Sequence, residues 1–455
     1  MKTSPATLPI THRSVLAIAV PIMLSNVTEP LIGVVNTAVI GQLPEAYYIG
    51  AISVGSLIFS FLFWGFGFLR LSTGGMTAQA VGARDASELT AVFWRAIAIA
   101  AFVGIAIVLT SPIIEKVSFD LMGGSPEVRT QGEIYFRYRV LSAPFALTNF
   151  VILGWFIGQG RAKTAFVVQV FLNVINMGLG AYFVLSLGMA ADGVGLSALL
   201  AEISAAFLGC LLVWLSLARL HGTATWAQIW DRRKIMRTLS ANGDIMIRTL
   251  CLVFAFVWFT ARGARAGDVI IAANAVLLSF FEVAAYLIDG FAHASEALVG
   301  QAVGAKNRQR FRQAIRLTTL WSLVVGALCS AIIWFAGPPL INLMTINPDV
   351  RDTARQYLIW VSLTPFLGCI CFQFDGIFTG AMATRDMRNM MIISLLIYLA
   401  SWWYLESNFG NHGLWASLCI FFVARGVTFA MRMPALEHHA FIEKGSNPVD
   451  SPLFR

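Results

Sequence analysis

The chain has 455 residues and a mean hydropathy of +0.73, with 58% hydrophobic against 12% charged residues. Soluble proteins average roughly 25% charged residues, so an ordinary soluble fold of this size has nowhere to bury so much apolar surface. The formal net charge of +8 is spread over short loops, which argues against a nucleic-acid-binding domain and for orientation across a membrane.

Apolar stretches of about 20 residues cross a hydrocarbon core roughly 30 Å thick, and in lipid they must be helical because no water satisfies the backbone. Twelve are predicted. The first, at about 14–40, carries Pro21, Asn26, Glu29, Pro30 and Asn36. An ionised carboxylate at the bilayer centre costs about 2.5–3.5 kcal/mol on insertion scales, so Glu29 must face protein or a cavity. There its proton becomes exchangeable near physiological pH. Glu29 and Asn36 lie nearly on one helical face, about 10 Å apart along it. Pro21 and Pro30 remove backbone donors, which lets this helix kink or straighten. A titrating acid beside a proline hinge fits a proton-driven switch, with Glu29 as the coupling site. The alternative is an acid that only bonds a neighbouring helix.

Spans two to four are expected at about 48–71, 91–115 and 134–158. The fifth, about 164–188, places Asn173, Asn176 and Gly180 in one row, where the amides either line a cavity with Glu29 or hold helices together. The sixth, about 193–217, contains Glu202, equally suited to an ion pair or to packing. A basic joint follows, with Trp226 and Trp230 at headgroup level. Span seven (about 239–262) carries Arg248. Span eight (about 268–293) carries Asn274, Glu282 and Asp289, with His293 on or near the same face and Glu296 at the cytoplasmic rim. The last four lie at about 315–341, 355–380, 387–407 and 411–431. Asp375 in the tenth is placed to pair with Arg248.

Several short motifs recur. Gln79-Ala80-Val81-Gly82-Ala83-Arg84 returns 222 residues later (79 to 301) as Gln301-Ala302-Val303-Gly304-Ala305-Lys306, and Gly154-Trp155-Phe156-Ile157-Gly158 returns as Gly376-Ile377-Phe378-Thr379-Gly380. Leu141–Phe145 is echoed, one residue out of step, by 362–366. A duplicated half with an even number of spans makes parallel repeats about an axis along the membrane normal. The expected division is 1–13 cytoplasmic N-terminus, 14–217 N-lobe, 218–238 linker, 239–432 C-lobe and 433–455 disordered cytoplasmic tail. Placing the N-terminus inside collects Arg13, Arg84, Arg161, Lys163, Arg232, Arg233, Lys234 and the basic run 306–316 on the cytoplasmic side, as the positive-inside rule requires. No cleavable signal is expected, because the first apolar stretch is too long and contains Pro21, Glu29 and Pro30. The six cysteines fall inside spans and read as structural thiols.

No glycine-rich phosphate loop, metal-spaced His/Glu motif or nucleophile–base pair is present, so no enzyme activity, cofactor or metal is expected. Transport would run on an ion gradient or be passive.

The chain resembles multidrug and toxic compound extrusion (MATE) transporters of the DinF-like branch over about residues 14–432. The resemblance rests on Pro21-Ile-Met-Leu-Ser-Asn26, Thr37-Ala-Val-Ile-Gly41, Phe68-Leu-Arg70, Thr77–Ala80 with Gly82-Ala83, Asn242-Gly-Asp244-Ile-Met-Ile-Arg248, Asn274–Leu277, Asp289–Ala292 and Asp375–Phe378. It implies an all-α membrane protein of twelve transmembrane helices, in two six-helix lobes around a central cavity, exporting organic cations or amphipaths in exchange for H⁺ or Na⁺. It also implies an acid in the N-lobe. Here the first-span position usually held by Asp is Asn36, and the fifth-span position often held by Asp is Gly180. Glu29 is the candidate replacement, and the loss of both aspartates weakens a Na⁺ site, since hard cations want several charged oxygens.

The expected function is a drug:H⁺ antiporter in the inner or plasma membrane, both termini cytoplasmic. Its partners would be a small cationic or amphipathic substrate, protons and membrane lipids, with no nucleic acid, and it would act as a monomer. Asn26, Asn36, Asn173 and Asn176 would line the N-lobe cavity. A lipid-linked flippase and a non-transporting receptor or assembly protein are the alternatives; proton release on adding a cationic drug separates them from an antiporter.

Overall fold

The computed structural model describes residues 9–43, 45, 47–123, 125–220 and 223–441, with the backbone alone at Glu29 and Leu220. In chain order the first half contains α1 (His12–Ile40), α2 (Tyr47–Gly65), α3 (Phe68–Ala83), α4 (Ala86–Met122), α5 (Pro126–Val140), α6 (Ala143–Gly158), α7 (Ala162–Ala181) and α8 (Ala191–Leu220). A short α9 (Trp226–Ile229) lies in the joint. The second half contains α10 (Arg232–Arg265), α11 (Asp268–Gly304), α12 (Arg308–Met344), α13 (Pro348–Gly380), α14 (Thr384–Phe409) and α15 (Asn411–Phe441). Among the described residues, eleven segments are long and apolar enough to cross a membrane, α2 and α3 counting as one, and α5 with α6, bent by 53°, makes the twelfth. Side chains such as Phe102, Leu109 and Phe335 stand exposed on the outer faces, as lipid contact requires.

The 222-residue repeat is written into the helix ends. Asp85 caps α4 through Glu88 N at 2.8 Å, and Asn307 caps α12 through Arg310 N at 2.9 Å. Ser125 before Pro126 opens α5 as Asn347 before Pro348 opens α13. Each cap satisfies a backbone donor that the first turn leaves free. Arg84 and Lys306 both take left-handed φ, 58° and 50°, where α3 and α11 stop.

Several helices overrun the expected spans, α3 ending at Ala83 rather than near 71 and α11 at Gly304 rather than near 293, and two of the expected lobe limits differ. The linker is shorter than 218–238, because α8 reaches Leu220 and α10 begins at Arg232. Residues 433–441, expected in a disordered tail, continue α15 with Pro434 inside the helix. Glu437 accepts hydrogen bonds from Arg308 and Arg312, each at 2.6 Å, and Phe441 packs edge-on against Phe311. Those partners lie more than 120 residues away, out of reach of a local reading. The chain beyond Phe441 falls outside the described residues.

Within the first half α1 packs on α7, α2 on α5, and α3 on α6; in the second, α10 packs on α14, and α11 on α12 and α13. Between the halves, α11 lies against α1 and α3. One apolar core fills the first lobe and crosses into the second through Phe291, Ala297, Leu298, Ile377, Phe378 and Phe429. All six sit at the end of the bundle where α1 begins. The other end of the second lobe has its own core, built on Phe259, Leu277, Tyr357, Trp415 and Phe421. The lobes are thus fused at the α1-start end and packed separately at the other.

Candidate functional site

The polar groups fall into three places. The first is the contact of α1 with α7. Asn173 Nδ2 donates to Thr28 Oγ1 at 2.7 Å, Gln169 Nε2 donates to Asn173 Oδ1 at 3.2 Å, and Thr28 donates to the Ser25 carbonyl at 2.7 Å. Asn173 and Asn176 are buried, and Asn176 Oδ1 has no protein partner among the described residues. One turn further along α7, a Cβ built at Gly180 would lie 3.7 Å from Asn36 Oδ1 and 3.4 Å from Ser197 Oγ. Asn36, Asn173, Asn176 and Gly180 therefore share one helix–helix contact. Asn26 does not join them: it donates to the Tyr286 carbonyl on α11, at 3.2 Å, on the side of α1 that faces the second lobe. Pro21 and Pro30 both sit inside the continuous α1. The Glu29 side chain lies outside the described residues; its backbone is helical and adjoins Thr28.

The second place is the seam between lobes, built by the repeated motif. Gln79 Nε2 donates to the Gly380 carbonyl at 3.0 Å, and Gln301 Nε2 donates to the Gly158 carbonyl at 3.1 Å. The two bonds are related by the same 222-residue step, so each lobe clasps the other with equivalent atoms. This close approach requires glycine: a Cβ at Gly82 would overlap the Gln301 carbonyl, and one at Gly304 the Gln79 carbonyl. Glu296, expected at a solvated rim, is instead 2% exposed. Its carboxylate lies against Gly74 of α3 and 3.0 Å from His293 Nδ1. What covers it is the opposite lobe, which no property of span eight announces.

The third place is inside the second lobe. Asp375 Oδ2 accepts from Arg248 Nη2, as the sequence suggested, and also from Arg425 Nη2 at 2.6 Å. Arg425 is fully buried, with its guanidinium 5.5 Å from the Phe421 ring centroid and 5.8 Å from that of Phe372. Such a desolvated cation gains about 2 kcal/mol from an aromatic face. Asp289 is within electrostatic reach of His293, Arg70, Arg248 and Asp375, and makes no hydrogen bond or ion pair among the described residues. Asn274 stands apart: it exchanges hydrogen bonds with Asn411 at 2.9 and 3.0 Å and accepts from Trp415 Nε1 at 2.9 Å. It sits about 22 Å along α11 from Asp289 and clasps α11 to α15. Glu282 is exposed. Glu202 resolves as an ion-pairing residue, bonded by Arg139 at 3.4 Å and Asn149 at 2.8 Å.

Sequence reading missed Arg425 and Thr28. An arginine inside an apolar span is a signal in itself, so Arg425 was findable. Thr28 was not, since a threonine in a helix usually bonds its own backbone. Among the described residues, no three His, Cys, Asp or Glu side chains converge as metal ligands.

The MatE family profile matches residues 21–182 and 245–402. DNA damage-inducible protein F of Escherichia coli (strain K12) is 36% identical over 420 residues, covering 91% of this chain and 90% of that protein. Multidrug export protein MepA of Staphylococcus haemolyticus (strain JCSC1435) is 24% identical, covering 92% of this chain and 94% of its own length. A solved outward-facing multidrug resistance MATE transporter superposes with a TM-score of 0.84 at 19% identity, over 93% of this chain and 96% of that one.

Proposed function

The chain belongs to the MatE family of multidrug efflux transporters, and from that premise we propose that it exports cationic or amphipathic organic molecules in exchange for protons. The basic loops support an N-terminus in the cytoplasm. On that orientation the fused end of the bundle is the inner one, the lobes part toward the outside, and inward opening must break the Gln79 and Gln301 clasps. Substrate enters only after they break, so the seam is the inner gate of an alternating-access cycle. The protein works as a monomer in the cell membrane.

The observation that carries the coupling assignment is the Asn173–Thr28 hydrogen bond. It ties α7 to α1 at the residue before Glu29 and two before Pro30. An ionised Glu29 demands water or a cationic substrate beside it and keeps the two helices apart. Once neutral, it joins the amide row, and α1 beyond Pro30 leans toward α7. Substrate and proton then compete through the shape of one helix, and each weakens the other's binding by the same factor.

The test uses Glu29→Gln in proteoliposomes. It should insert and fold but lose drug-dependent proton exchange, while Asn36→Ala keeps a measurable part. Wild-type transport should follow an imposed pH gradient and ignore a Na⁺ gradient at fixed pH. Normal exchange by Glu29→Gln would move the coupling site to the second lobe. The specific observation favouring that second reading is Asp289, an intramembrane acid without an ion-pair partner among the described residues, within electrostatic reach of Arg70, Arg248, His293 and Asp375. Asp289→Asn would then abolish exchange.

A further inference from the structure

Where α1 begins beside α7, the surface holds a groove of about 480 Å³ lined by Arg13, Leu16, Ala17, Val20, Pro21 and Lys163. Its chemistry is divided. Arg13 and Lys163, each at the second position of its helix, line it through their alkyl stems and leave two exposed cations beside it. Neither makes an ion pair or hydrogen bond among the described residues. The remaining four wall residues are apolar and follow α1 into the span. From Arg13 to Val20 and Pro21 is about 10–12 Å of helix. That is the reach from the charged surface of a bilayer into the upper hydrocarbon.

We propose that this groove binds an anionic membrane phospholipid. The phosphate sits between Arg13 and Lys163, and the upper acyl chain lies on Leu16, Ala17, Val20 and Pro21. A soluble anion would use only the cations and leave the apolar wall in water. A zwitterionic lipid would fill the wall but bring no net charge to the two cations. Only an anionic amphiphile matches both the apolar groove and the two cations beside it. The chain also rests on Pro21, the first of the two prolines in α1, so a bound lipid touches the helix whose bending drives the proposed cycle. This inference does not depend on which acid couples transport.

The experiment is a binding titration of the purified full chain in neutral detergent, with phosphatidylglycerol or phosphatidylcholine counted by native mass spectrometry. Two basic residues at a membrane surface contribute on the order of fivefold each, so wild type should prefer phosphatidylglycerol about 25-fold for its first bound lipid. Arg13→Gln with Lys163→Gln should bring the ratio near one. Arg232→Gln with Arg233→Gln removes the same charge from the linker side and should leave the preference intact. Ala17→Trp fills the groove without altering charge and should remove the first bound lipid of either kind. Inorganic phosphate at millimolar concentration should not displace phosphatidylglycerol. An unchanged preference in the Arg13/Lys163 variant, an equal loss in the linker control, or displacement by phosphate would each overturn the proposal. Should the double variant fail to fold, the Ala17→Trp outcome still decides it.

Discussion

The seam makes a quantitative demand. Gln79 and Gln301 each hold a carbonyl of the opposite lobe, at 3.0 and 3.1 Å. Replacing either with Leu removes one hydrogen bond and leaves one carbonyl without its donor while the seam is closed. Opening the seam hydrates that carbonyl, so the cost falls on the closed state alone. A buried group stripped of its partner costs about 1–3 kcal/mol, which moves the closed-to-open ratio by roughly 5- to 150-fold. Because the two bonds are pseudo-equivalent, Gln79→Leu and Gln301→Leu should shift the ratio by similar amounts, and the double variant by more than either. The assay is electron–electron distance measurement between spin labels at Arg84 and Lys306, exposed residues at the seam's end, after the native cysteines are replaced. Each single variant should populate a longer distance at the expense of the short one. Unchanged distributions in both would remove the seam as a gate; a shift in one alone would refute the symmetric clasp.

Two further outcomes concern the second lobe. Asp375→Ala leaves Arg248 and Arg425 as uncompensated buried charges and should cost about 3–5 kcal/mol in denaturant unfolding in detergent. The triple variant Arg248→Met, Asp375→Leu, Arg425→Met should recover most of that loss, and a triple variant as unstable as the single would show that packing, not charge, dominates there. Asn274→Leu should cost at least about 2 kcal/mol, since it strands Asn411 and Trp415 together; the folded fraction should still transport, and loss of transport at full folding would give Asn274 a direct part in the cycle.

Much of this protein is legible along the chain because its strongest constraint is local. A segment in lipid must satisfy its own backbone, so the number of spans follows from runs of apolar residues, while helix ends beyond the apolar run do not. The repeated motifs likewise disclosed two parallel halves. What the chain could not disclose is the rotation of each helix about its own axis and the partner it meets. Asn26 and Asn173 read as companions, yet Asn26 faces α11 while Asn173 bonds Thr28. Glu296 reads as a rim acid, yet α3 of the other lobe covers it. Asp375 has two arginine partners, 127 and 50 residues away in sequence. Hydrophobicity is nearly uniform around such helices, so periodicity does not fix which face turns inward. Close packing between helices distant in sequence decides that, and it exists only in the folded bundle.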